Sequence, residues 1–169
     1  MSGSIPLLLV AGILALGCRP APQPERALTP AEEAAITETM RGAMTEFVAA
    51  ENQMTCEDQG AVLKFFDWSG PGLIDGNDSI ATLYPGDAWP TLIREGACSR
   101  EREEVTLETL LIRVLSRDLA SVSWTYRATH ILRDAPPEYS RGAVLQVFRR
   151  TPNGWKSPVG MSTHLPVTQ

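Results

Sequence analysis

Histidine and cysteine are scarce in this chain, two and three respectively among 169 residues. Neither supply builds the four-ligand spacing of a zinc finger, and no metal or cofactor is expected. Basic tracts are also missing: 20 acidic against 15 basic side chains leave a formal charge of −5. An acidic chain without a basic stretch gains nothing from counterion release, which argues against nucleic acid as a partner. No apolar run reaches the roughly 20 residues of a membrane-spanning helix. Internal repeats are absent. What remains is ordinary: 43% hydrophobic and 21% charged residues, enough for one self-sufficient core.

The first 17 residues carry no charged side chain, and Ile5 to Leu16 is almost wholly apolar. A run of about a dozen is too short to span a bilayer but suits the core of an export signal. It ends in Leu14-Ala15-Leu16-Gly17-Cys18, which resembles the lipobox of a bacterial lipoprotein, with Cys18 the lipidated residue. Ala15 stands where leucine is typical, and Met1-Ser2-Gly3-Ser4 lacks lysine and arginine. Ala15-x-Gly17 also satisfies the small-residue rule for soluble release. Either way export is expected, and the lipid anchor places the domain on the cell envelope, facing the periplasm or exterior. Residues 18–28 then form a tether, because Pro20, Pro22 and Pro24 favour an extended, semi-rigid chain of about 3.1 Å per residue.

Residues 29–169 form the domain. Thr29-Pro30-Ala31-Glu32 combines a capping threonine, a proline at the first helical position and a glutamate that closes a capping box. Ile36, Met40, Met44 and Phe47 recur at helical spacing, giving a helix to about Gln53 with one apolar face. A second helix is expected over Cys56–Phe66, Asp75-Gly76 as a tight turn, and a third helix over Asp87–Glu95. The charged run Arg100–Glu104 reads as a solvated connection. Strands follow over Val105–Ser116, Ala120–Leu132, Gly142–Arg150 and Trp155–Leu165, the last two joined by a Thr151-Pro152-Asn153-Gly154 hairpin turn. Helices first and a strand meander after them make an α+β layout.

Ala120 to His130 alternates cleanly, with Ala120, Val122, Trp124, Tyr126, Ala128 and His130 on one face. Two neighbours do not. Ala143, Leu145 and Val147 oppose Val144 and Phe148, and Leu107, Leu111 and Leu115 oppose Leu110, Ile112 and Val114. Helices cover one side of a sheet, so a second apolar set is either buried in part by strong curvature of the sheet or covered by a homodimer across the other side, the reading preferred here. With Cys18 lipidated, Cys56 and Cys98 remain, either as one disulfide or as two buried thiols.

Val114–Val122, Tyr126-Arg127-Ala128-Thr129-His130, Val147-Phe148-Arg149-Arg150 and Gly154-Trp155-Lys156 resemble the sheet of SnoaL-like proteins in the nuclear-transport-factor-2-like superfamily. The resemblance covers about Thr29 to Pro166. It implies a cone: N-terminal helices on a strongly curved antiparallel sheet, with a pocket at the open end. Members include ketosteroid-isomerase-like and polyketide-cyclase-like enzymes and many non-catalytic binding domains, so fold alone does not choose the function. Many relatives carry inward histidines on the last strand after Gly-Trp-Lys, where this chain has Val159 and Met161, neither able to move a proton. No residue is firmly catalytic. His130, on the face of Trp124 and Tyr126, and Asp75, in the loop where isomerase relatives place a base, are the candidates for a general base. Trp124, Tyr126, Trp155 and Met161 are the candidate pocket walls for a small apolar ligand. The preferred reading is a non-catalytic, lipid-anchored binding domain; the alternative is an isomerase- or cyclase-type enzyme using His130 or Asp75.

Overall fold

The computed structural model describes residues 26–77 and 80–167, so the signal segment, Cys18 and the proline tether up to residue 25 lie outside the described residues. The first helix, α1 (Pro30–Gln53), begins where the capping box places it. Thr29 Oγ1 accepts from the Glu32 N–H at 3.2 Å, and Glu32 accepts from the Thr29 N–H at 2.8 Å. Arg117, from a turn far along the chain, also donates to Glu32 and fixes this end of the helix to the sheet. Ile36, Met40, Met44, Phe47 and Ala50 are buried at spacings of three and four residues, forming the stripe that the sheet must cover.

The sheet has six strands: β1 (Gly72–Asn77), β2 (Ile80–Tyr84), β3 (Arg102–Ser116), β4 (Leu119–Ile131), β5 (Glu138–Thr151) and β6 (Gly154–Pro166). Their order is β2-β1-β6-β5-β4-β3. All neighbours are antiparallel except β1 and β6, so the sheet is mixed, not purely antiparallel. Asp75-Gly76 is no turn: it sits inside β1, hydrogen-bonded between β2 and β6. Gly72 opens that strand at φ 111, where a Cβ would collide with the backbone of Tyr84.

The second helix is only α2 (Gly60–Leu63), much shorter than Cys56–Phe66. Thr55 does act as a local cap, accepting from the Asp58 N–H at 3.1 Å, but the chain turns there before any helix starts. Helix α3 (Trp89–Cys98) follows a single 3₁₀ turn at Gly86–Ala88, with Pro90 in its first turn where no N–H is needed. Cys56 and Cys98 are joined as a disulfide with Cα atoms 4.4 Å apart, tying the chain after α1 to the end of α3.

The core lies between α1 and the inner face of β3, β4, β5 and β6. Phe47 is its centre, edge-on to Phe65, Phe66 and Trp124 with centroids 5.4, 6.0 and 6.2 Å away. Val122, Phe148 and Trp155 complete it. Fully burying such side chains contributes about 1.5–3 kcal/mol each, enough for α1 to anchor the whole cone.

Two bulges decide which side chains face inward. A register shift between Leu107 and Thr109 moves Leu107 onto the same inner side as Leu110, Ile112 and Val114. A second shift, opposite Val147/Arg149, falls at Pro158, which the strand passes through without ending. Beyond it Gly160 is buried and Met161 exposed, the reverse of strict alternation from Trp155.

Candidate functional site

Between α1, α3 and the inner sheet face lies a cavity of about 220 Å³. Its walls are apolar (Phe47, Phe66, Trp89, Ile93, Trp124 and Tyr126 among them), with Glu51, Arg100, Glu103, Gln146 and Ser162 as polar members. Few polar groups converging in an apolar hollow is the usual composition of a small-molecule site.

Glu51 sits one turn beyond Phe47, at the end of α1 that faces the cavity. Its neighbour Asn52 fixes that end. The Asn52 amide donates to the Val105 carbonyl at 3.1 Å and accepts from the Val105 N–H at 2.5 Å, so helix and edge strand are pinned two residues from Glu103. No described side chain hydrogen-bonds the Glu51 carboxyl. Burial pushes its pKa up to about 8 and the Glu103 charge adds to the rise, while Arg100 opposes it.

Arg100 and Glu103 face each other across the cavity's rim. Arg100 Nη2 lies 2.6 Å from Glu103 Oε2, with the two side chains 19% and 12% exposed. The other Glu103 oxygen lies 3.2 Å from His130 Nδ1, and His130 Nε2 lies 3.0 Å from Ser140 Oγ. Arg100 Nη1 also approaches His130 Nδ1, at 3.3 Å. His130 is therefore buried behind the ion pair and does not line the cavity. Asp75 likewise stands one residue back, accepting the Ser162 hydroxyl at 2.5 Å, while Ser162 itself lines the cavity.

Tyr126 is in the wall, its hydroxyl 3.5 Å from His164 Nδ1. Burial first, then the charges of Glu51, Glu103 and Asp75, push its pKa up to about 12, so the phenol is a hydrogen-bond donor at any ordinary pH.

The sequence-derived pocket residues separate. Trp124 and Tyr126 line the cavity. Trp155 belongs to the core under the Arg150 guanidinium, and Met161 is 45% exposed on the opposite face of the sheet. The bulge at Pro158 is the physical reason: it exchanges Met161 for Ser162 and brings His164 within reach of Tyr126. Glu51, Arg100 and Glu103 went unseen as site residues. The run Arg100–Glu104 is not merely a solvated connection, since Arg102–Glu104 opens β3 and alternation carried back from Val105 puts Glu103 inside.

The described architecture matches solved structures. A protein described as a candidate dehydratase of the nuclear-transport-factor-2-like family from Streptomyces avermitilis superimposes with TM-score 0.65 at 17% identity, covering 81% of this chain and 99% of that one. The chain has the nuclear-transport-factor-2-like fold. A candidate scytalone dehydratase from Novosphingobium aromaticivorans gives 0.63 at 11% identity, over 83% and 89% of the two chains. The hexachlorocyclohexane dehydrochlorinase LinA-type3 from Novosphingobium barchaimii gives 0.60 at 9%, over 83% and 95%. No protein-family model and no curated relative matches the chain. Identities this low establish the fold alone, which hosts dehydratases and a dehydrochlorinase among its members.

Proposed function

We propose that the protein is an exported enzyme that moves a proton on a small substrate with a largely apolar body, held in the cone cavity, with Glu51 as the acid–base group. One observation carries this reading. A carboxyl with no hydrogen-bond partner among the described residues faces an apolar cavity and is pushed up to about 8, close to the pKa at which an acid–base catalyst works best near neutrality. Tyr126, in the same wall, supplies a donor for an oxygen on which negative charge develops. His130 and Asp75 act at one remove: His130 holds Glu103, and Asp75 holds Ser162. The fold's dehydratase and dehydrochlorinase members, whose names describe eliminations, are in keeping with chemistry of this type.

The test is a generic carbon acid small enough for the cavity. Benzisoxazole opens when a base removes its ring proton and the N–O bond breaks, without further assistance. Wild-type protein should accelerate the opening with a rate that rises through about pH 8, and Glu51→Gln should abolish it. Equal rates in the two proteins would favour the second reading, a non-catalytic binding domain using the same cavity.

We further infer that Cys18 carries the lipid and that the proline tether holds the domain off the membrane. Helix α1 has 24 residues and spans about 36 Å at 1.5 Å per residue. The described chain enters at Arg26 beside Arg117, whereas Glu51 is at the helix's other end. A tether reaching Arg26 therefore joins the domain at the helix end opposite Glu51. Cys18→Ala should release the domain from membranes or stall its processing; unchanged fractionation and unchanged mass would exclude the anchor.

The outer sheet face supports the homodimer reading. Leu111, Ser123, Leu145 and Met161 form one row across β3, β4, β5 and β6, with the three large side chains 54%, 44% and 45% exposed. Arg127 and Arg141 both pair with Glu108 at the border of this patch. A second copy related by a two-fold axis is the simplest cover for such a face.

A further inference from the structure

The charges around the cavity do not balance. Glu51 comes from α1, Arg100 from the segment after α3, Glu103 from β3, and Asp75 stands behind Ser162 from β1. Tyr126 and His130 come from β4 and His164 from β6. That is three carboxyl groups to one guanidinium. Glu103 is satisfied on both oxygens by Arg100 and His130, and Asp75 takes the Ser162 hydroxyl. Glu51 is left over.

A second group in the same wall also lacks a partner. Trp89 is only 5% exposed and its ring is held by stacking on Phe66, with centroids 4.3 Å apart, yet its indole Nε1 is buried with no hydrogen-bond partner among the described residues. That N–H is closed off from the cavity, so Trp89 contributes a rigid aromatic wall and no polar contact. The remaining walls, Phe47, Phe66, Trp124 and Tyr126, present aromatic surface, whose faces attract cations.

Resting on the reading of this cavity as the ligand site, we propose that its occupant is a small organic cation: an amine on an apolar body. An anion would meet Glu103, Asp75 and the aromatic faces unfavourably. A neutral hydrocarbon would leave Glu51 as it is. An ammonium pairs with the Glu51 carboxylate and lies against aromatic faces. At roughly 30 Å³ per water, the cavity's 220 Å³ holds about seven, the bulk of a phenyl ring with a short arm. Because the ammonium needs the carboxylate form, binding below Glu51's titration expels a proton. Affinity then rises about tenfold per pH unit.

The experiment is calorimetric titration of the full chain with benzylamine, benzyl alcohol and benzoate between pH 6 and 8. Benzylamine should bind best, gain about tenfold in affinity per pH unit and release up to one proton to the buffer at pH 6.5. Glu51→Gln should remove the pH slope, and the proton count on wild-type protein gives the same information without a variant. Benzyl alcohol or benzoate binding as tightly as benzylamine, or benzylamine binding without proton release, would overturn the cation while leaving the cavity a ligand site. No binding by any probe would overturn both.

Discussion

Glu51→Gln should stabilise the protein, and by an amount that depends on pH. In the unfolded chain this carboxyl titrates near 4.5; in the fold it is raised to about 8. Below pH 4.5 both states hold the proton and the residue contributes no difference. Between 4.5 and 8 the folded state keeps the proton that the unfolded state releases, so stability falls as pH rises; above 8 the loss is complete. At about 1.4 kcal/mol per pKa unit the full loss is about 5 kcal/mol. Water entering the open cavity reduces it to on the order of 2–4 kcal/mol. Glutamine mimics the protonated acid and carries no such loss. Urea unfolding of both proteins, with the disulfide intact, should give equal stabilities at pH 4 and a glutamine variant about 2–4 kcal/mol more stable at pH 8.5. Glu32, Asp67 and Glu108 have lowered pKa values and contribute stability that is lost in acid, but they are common to both proteins and cancel in the difference. A difference that stays flat from pH 5 to 8.5 would refute the reasoning.

Other consequences are simpler to test. Replacing Cys56 and Cys98 by serine opens a loop with a sequence separation of 42, and chain entropy alone puts the loss at about 4 kcal/mol; urea midpoints compared with the oxidised protein measure it. Thr29→Ala removes the capping-box acceptor and should cost about 1 kcal/mol, read as a lowered melting temperature with unchanged circular dichroism. Leu145→Asp, in the middle of the exposed row, should shift sedimentation from dimer to monomer without unfolding, whereas a wild-type monomer at tens of micromolar would dispose of the dimer.

Where local chemistry decides, the sequence was a sufficient guide. The capping box around Thr29, the apolar spacing from Ile36 to Phe47 and the alternation of Ala120–His130 all appear in the structure as read. The misreadings arise where tertiary partners overrule local signals. Asp75-Gly76 has turn chemistry, yet it is extended because β2 and β6 pair with both its edges. Cys56–Phe66 has helical spacing, but a turn capped by Thr55 precedes the helix and a disulfide holds its start. The single-residue bulge near Leu107 leaves no mark in composition and the one near Pro158 only the proline itself, which reads as an interruption of the strand; each reverses inside and outside for the rest of its strand. The site suffered most from this. Met161 was placed in the pocket by a phase that the second bulge inverts, putting Ser162 there instead, and nothing in its local sequence singles Glu51 out from the helix's other glutamates. Only Glu103 was recoverable, by extending the alternation of β3 two residues backwards.

The acid–base role of the cavity depends on the state of one carboxyl group, and carbon-13 NMR of the glutamate side chains observes it directly. With Glu51 assigned by its disappearance in Glu51→Gln, its carboxyl resonance in the ligand-free protein should titrate with a midpoint near 8. A midpoint at the ordinary value of about 4.5 would make it a solvated surface acid and contradict the acid–base reading of the cavity.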